Sequence, residues 1–223
     1  MFIIVNSAKY NRQENAALFK EIRQYIFRIP ELFRALSADT AVLKSTWTAY
    51  LTMMHRGKLP FAIKEIVALM TSEVNSCQYC TDFHQVFLTA CEQSSMKAHD
   101  TLFGEQQTES YRRHLRHFIY KVVRQHGDLN DVDVSQYKNV FRTDSDRLEA
   151  VLLMSTMTFF TTFADAAGVN LEFIPDDTPA RRNLMKTAVR QSRKKRLQHA
   201  EPFYVRFEDL SRRASEPIGD TPF

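Results

Sequence analysis

Glu65-Ile-Val-Ala-Leu-Met-Thr-Ser-Glu-Val-Asn75-Ser76-Cys77-Gln-Tyr79-Cys80-Thr-Asp-Phe83-His84 is the stretch on which the chain is organised. The residues after Asn75-Ser76 contain no Gly or Pro, and Val86, Phe87, Ala90 and Cys91 recur at helical spacing, which predicts a helix. Ser76 is a good N-cap type, so the helix is expected to begin at Cys77. Steps of three and four then place Cys77, Cys80 and His84 on one face. Residues three apart on a helix have Cα atoms roughly 5 Å apart, within disulfide reach. Both thiols fall in the first turn, where the helix dipole favours thiolate. His84 is placed to take a proton from Cys80 or to stabilise its anion.

Residues 59 to 74 read as the preceding helix. Its inward stripe is Ala62, Ile66, Leu69, Met70 and Val74, with Lys64, Ala68, Thr71 and Ser72 on the outer face. Glu65 falls inside the stripe, where an unpaired carboxylate would cost several kcal/mol, so it requires a partner. Folding the two helices back at 75–76 sets position 65 opposite about position 86, level with His84. The geometry offers Glu65–His84–Cys80 as a proton relay, with Cys77 as the resolving thiol. Zinc binding is the first alternative, but Cys77, Cys80 and His84 supply only three ligands and no second Cys/His pair stands at finger spacing. A thioredoxin site would need strand–helix alternation around the pair. Inert core cysteines, and a Glu65 paired with a core arginine, are the remaining alternatives.

The spacing of Glu65, Cys77, Cys80 and His84 resembles the signature of the alkylhydroperoxidase D-like members of the carboxymuconolactone decarboxylase family. The likeness is strongest over 58–91 and weaker over 141–172, where Thr161-Thr162 stands in place of a frequent Asn-Arg. The resemblance implies an all-α helical bundle, a homo-oligomer (trimer or hexamer), and peroxide reduction through a cysteine pair. By that resemblance Cys80 is the peroxidatic cysteine, Cys77 the resolving one, and Glu65 with His84 the relay. The best-studied members carry His before the second cysteine, where this chain has Tyr79, whose hydroxyl is a candidate for the proton path.

Composition fits an all-helical protein. The 223 residues include only 5 Gly and 7 Pro, and 44% are hydrophobic, enough for an ordinary core. Three cysteines do not make a secreted disulfide framework, and a pair that must be re-reduced suits a reducing, cytoplasmic compartment. The absence of an 18-residue apolar run predicts no membrane span, and Phe2–Val5 is too short for a signal sequence. The charge of +4 comes from one segment: Arg181, Arg182, Lys186, Arg190, Arg193, Lys194, Lys195 and Arg196. Without those eight the 30 basic residues fall to 22, against 26 acidic. The segment has no interleaved aromatics, which argues against nucleic-acid binding and for an exposed or subunit-clasping arm.

Outward from the centre, helices are expected over 14–29 (ended by Pro30), 31–37, 40–56 (capped by Asp39, stopped by Gly57), 93–103, 110–125, 134–139 and 145–167 (capped by Thr143). Leu43, Trp47, Tyr50, Leu51 and Met54 form the inward face of the third. Trp47, Tyr79 and Phe83 are expected to wall the site. His114 and His117, flanked by Arg112, Arg113 and Arg116, read as a solvated face, and Cys91 as a core thiol. Pro175-Asp-Asp-Thr-Pro179 marks a boundary between a helical domain at 1–174 and a basic C-terminal arm at 175–223. No cofactor motif or metal set is present, and none is expected. The expected activity is a thiol peroxidase that meets a hydroperoxide and an external dithiol reductant, such as a lipoylated or thioredoxin-like protein. A lactone decarboxylase and a non-enzymatic redox-responsive oligomer are the rivals.

Overall fold

The computed structural model describes residues 13–26, 28–94 and 105–169, with the side chains of 90–94 and 105–112 excluded. The proposed boundary at 175, the basic run at 181–196 and the side chain of Cys91 lie outside the described residues. Those described form an all-α bundle of eight α-helices. They are α1 (Ala16–Ile26), α2 (Glu31–Leu36), α3 (Thr40–Tyr50), α4 (Phe61–Val74), α5 (Gln78–Ser94), α6 (Glu105–Arg124), α7 (Asp131–Val140) and α8 (Asp144–Ala167). A π-helical turn, Leu51–His55, prolongs α3.

The caps follow their residue types. Asp39 accepts from the N–H groups of Ala41 and Val42 and starts α3. Asn130 with Asp133, and Thr143 with Asp146, close capping boxes on α7 and α8. Gly168, at φ 63°, ends α8 in the left-handed region.

Helix α4 is the axis of the bundle, packed against α5, α6 and α8. Every residue from Ile63 to Ser72 is buried. The expected outer face of Lys64, Ala68, Thr71 and Ser72 is therefore a second buried face. Hydroxyl side chains made it look like a surface. In fact Thr71 Oγ1 and Ser72 Oγ donate to the carbonyls of Val67 and Ala68, both at 2.7 Å, so neither needs water.

Lys64 is the costlier occupant of that face. Its ammonium donates to the carbonyl of Met53 at 2.8 Å and to that of Arg56, and stands 2.5 Å from Glu149 Oε1 on α8. It thus satisfies carbonyls at the frayed end of α3 and its π turn. Glu149 Oε2 accepts from the N–H groups of Lys58 and Leu59, tying α8 to the α3–α4 connection.

Helix α8 is 24 residues long with a mean hydropathy of 1.3 over its 18-residue window, enough by length and composition to cross a membrane. In the fold its Ala150, Leu153, Met154, Met157, Phe160 and Ala164 are buried in the bundle, where the helix packs against α4, α5 and α6.

Candidate functional site

The turn between α4 and α5 sets the cysteines. Cys77 N–H donates to the carbonyl of Ser72, and Ser76 N–H to that of Glu73. These two bonds are a Schellman closure of α4, with Ser76 as the left-handed residue at φ 59°. Ser76 is thus the end of α4 rather than the cap of α5. The helix begins at Gln78, one residue later than expected, and Cys77 holds the cap position, its carbonyl accepting from Thr81 N–H at 3.0 Å. Asn75 Nδ2 donates to Thr161 Oγ1 at 3.0 Å and to Thr158 Oγ1 at 3.3 Å, which pins the turn to α8.

Cys77 and Cys80 are 3.3 Å apart, both buried and both free thiols. The Cys80 thiol is pushed well above the ordinary thiol range. The hydrogen bond with Cys77 contributes most, followed by burial and by the negative charges of Cys77 and Asp165. The helix N-terminus alone would pull the other way, so burial and the shared proton outweigh the dipole on which the sequence reading relied.

The structure brings Glu65 and His84 together. His84 Nδ1 lies 2.8 Å from Glu65 Oε2, with both side chains almost wholly buried. Among the described residues Glu65 Oε1 has no hydrogen-bond partner, so His84 is the polar anchor of this carboxylate. Nδ1 is the ring nitrogen that meets Glu65, so Nε2 takes no part in this contact. Phe83 stands edge-on to the imidazole, ring centroids 5.3 Å apart, and limits its rotation.

Cys80 and His84 line the same pocket, which is partly open to solvent. Its other walls are Pro30, Leu32, Phe33, Tyr50, Tyr79, Phe83, Met157 and Phe160, from α2, α3, α5 and α8. Cys77 and Glu65 stand behind this wall. Of the expected aromatic wall, Tyr79 and Phe83 are in place. Trp47 instead stacks behind Phe33 and Tyr50, at ring-centroid distances of 5.4 and 5.8 Å. The Tyr79 hydroxyl accepts from the N–H of Leu32 at 3.3 Å, so it clamps α5 to the first turn of α2. Pro30, Phe33, Tyr50, Met157 and Phe160 were not anticipated as site residues. They converge from three distant segments, and each reads locally as ordinary core.

His117 is half exposed and faces Asp133 Oδ1 at 3.2 Å, on a solvated part of α6 as expected. Among the described residues no group of three or more His, Cys, Asp or Glu is placed to hold a metal ion.

A buried thiol pair and a buried carboxylate–imidazole couple thus lie on one helical hairpin, with Cys80 and His84 both on the wall of an apolar pocket. Over 83 residues, 37% of its length, the chain is 30% identical to alkyl hydroperoxide reductase Rv2159c of Mycobacterium tuberculosis (strain ATCC 25618 / H37Rv). The matched segment spans 24% of that protein's length. No family model matches the chain.

Proposed function

We propose that the protein is a thiol-dependent peroxidase of the alkylhydroperoxidase D-like type, with Cys80 peroxidatic and Cys77 resolving. The observation that carries this reading is the convergence of two couples on one pocket: the cysteines at 3.3 Å and Glu65–His84 at 2.8 Å. The partial match to an alkyl hydroperoxide reductase supports the same chemistry.

His84, held by Glu65, takes the Cys80 proton through its free ring nitrogen, and the imidazolium so formed is balanced by the carboxylate. The Cys80 thiolate attacks the terminal peroxide oxygen. The O–O bond breaks, Cys80 becomes a sulfenic acid, and His84 returns the proton to the departing alkoxide. Cys77 then condenses with the sulfenic acid, water leaves, and a disulfide forms within one helical turn. An external dithiol reduces it by exchange, with a lipoylated or thioredoxin-like protein as the donor class. The apolar walls favour an organic hydroperoxide. A cytoplasmic setting and a homo-oligomer complete the proposal. The exposed Leu148, Leu152 and Phe159 of α8 are suited to a subunit contact.

Turnover of cumene hydroperoxide with a dithiol donor tests this. Cys80→Ser is expected to abolish it, and Cys77→Ser to stop it after one equivalent. Full turnover in Cys80→Ser would refute the assignment.

A further inference from the structure

Two sulfur atoms, not one, line the pocket. Met157 on α8 forms part of the wall that carries Cys80 and His84, and it is 1% exposed, so its thioether meets oxidants by way of that pocket. Among the described lining residues, only Cys80 and Met157 carry a side chain that accepts an oxygen atom from a hydroperoxide. The others are hydrocarbons, phenols and one imidazole.

We propose that Met157 is a second oxygen acceptor of this site, used when Cys80 is locked in the disulfide. The proposal rests on reading the pocket as a hydroperoxide site. The Met157 sulfur attacks the terminal oxygen of the bound hydroperoxide. The O–O bond breaks, an S=O bond forms, and the proton of the hydroperoxide passes to the alkoxide, which leaves as the alcohol. Sulfur is oxidised by two electrons and the peroxide is reduced by two, so no further reactant enters.

Access supplies the selectivity: an oxidant that enters the pocket meets Met157 on its wall, whereas a buried methionine off the pocket meets none. With reduced Cys80 present, the thiol is the better nucleophile and Met157 is spared. With the disulfide formed and the donor absent, Met157 is the sulfur that remains. Its sulfoxide places a polar oxygen among Phe33, Phe83 and Phe160 and closes the pocket to apolar peroxides. The site thereby limits its own use when reductant fails.

Two methionines serve as internal standards. Met154, one turn earlier on α8, is fully buried and does not line the pocket, and Met53 is partly exposed. The full chain, oxidised to the Cys77–Cys80 disulfide, is treated with cumene hydroperoxide or hydrogen peroxide and each methionine is mapped by peptide mass spectrometry. Met157 sulfoxide is expected to form about ten-fold or more faster than Met154 sulfoxide. The Met157-to-Met53 ratio is expected to be higher with cumene hydroperoxide than with hydrogen peroxide. Met157 tracking Met154, or a ratio equal for the two peroxides, would overturn the proposal. Cys80→Ser, mapped in parallel, is expected to keep the Met157 selectivity. Reduced protein whose cysteines never react with the hydroperoxide would sink the peroxidase reading, and this proposal with it. Cysteine oxidation without Met157 selectivity would sink this one alone.

Discussion

Replacing His84 by leucine removes the hydrogen-bonded partner of a fully buried carboxylate. Glu65 is 0% exposed, one of its oxygens already has no partner, and the other would lose its 2.8 Å contact. Leucine fills most of the imidazole volume, so the cost is chiefly electrostatic. Breaking a buried pair from one side costs about 3–5 kcal/mol. For a chain of this size that is a fall in melting temperature on the order of 10 °C. The companion variant Glu65→Leu/His84→Leu removes both polar groups and should recover most of the loss, because an apolar pair leaves nothing unsatisfied. Urea unfolding of the wild type, both single variants and the double variant at neutral pH closes the cycle, with an expected coupling of at least about 2 kcal/mol. A His84→Leu protein within about 1 kcal/mol of wild type, or a double variant as unstable as the sum of the singles, would refute the pairing.

Three further outcomes follow from the same coordinates. Alkylation of Cys80 should still be accelerating above the usual thiol range near pH 8.5, since its raised pKa keeps the thiolate scarce below that, and Cys77→Ala should move the profile to lower pH. A Cys80 profile already flat at neutral pH would contradict the shared-proton arrangement. Asp133 is held below the ordinary carboxylate range first by its hydrogen bond with Lys121, then by the N–H of Asn130. Its contribution is therefore present above the unfolded value of 3.8 and lost as pH falls through the lower folded one. The stability gap between wild type and Asp133→Asn should close in acid urea titrations, and a gap constant with pH would contradict this. Gly57→Ala forces a side chain into φ +84° and sets its Cβ against the Glu149 carboxylate, so melting should fall by an amount equivalent to about 2 kcal/mol or more. An unchanged melting curve would show that the Lys64–Glu149 clasp yields freely.

The helical class and the pairing of Glu65 with His84 could both be read from local pattern. A carboxylate in an apolar stripe demands a partner, and a two-residue turn leaves few places for it. The positions of Asp39 and Thr143 as caps are equally local. What escaped the sequence depended on tertiary partners. Lys64 looked like a surface residue because the carbonyls that neutralise its cost belong to Met53 and Arg56, and the carboxylate to Glu149. Ser76 looked like a helix start because serine caps well, yet the Schellman bonds place it in the left-handed region at the end of α4. The dipole argument for a Cys80 thiolate failed to weigh burial and the adjacent thiol, which only packing reveals. The pocket was illegible because α2, α3 and α8 each supply one or more apolar residues, and an apolar residue carries no mark of whether it faces a void or a neighbour.

The most direct measurement is a single-turnover thiol map. The reduced protein receives one equivalent of cumene hydroperoxide, is quenched with an alkylating agent over a time course, and Cys77, Cys80 and Cys91 are read by mass spectrometry. The account predicts a rapid Cys77–Cys80 disulfide with Cys91 left reduced, slowed in both Glu65→Gln and His84→Leu. Cysteines that oxidise no faster than a free thiol, or a disulfide rate indifferent to both variants, would contradict it.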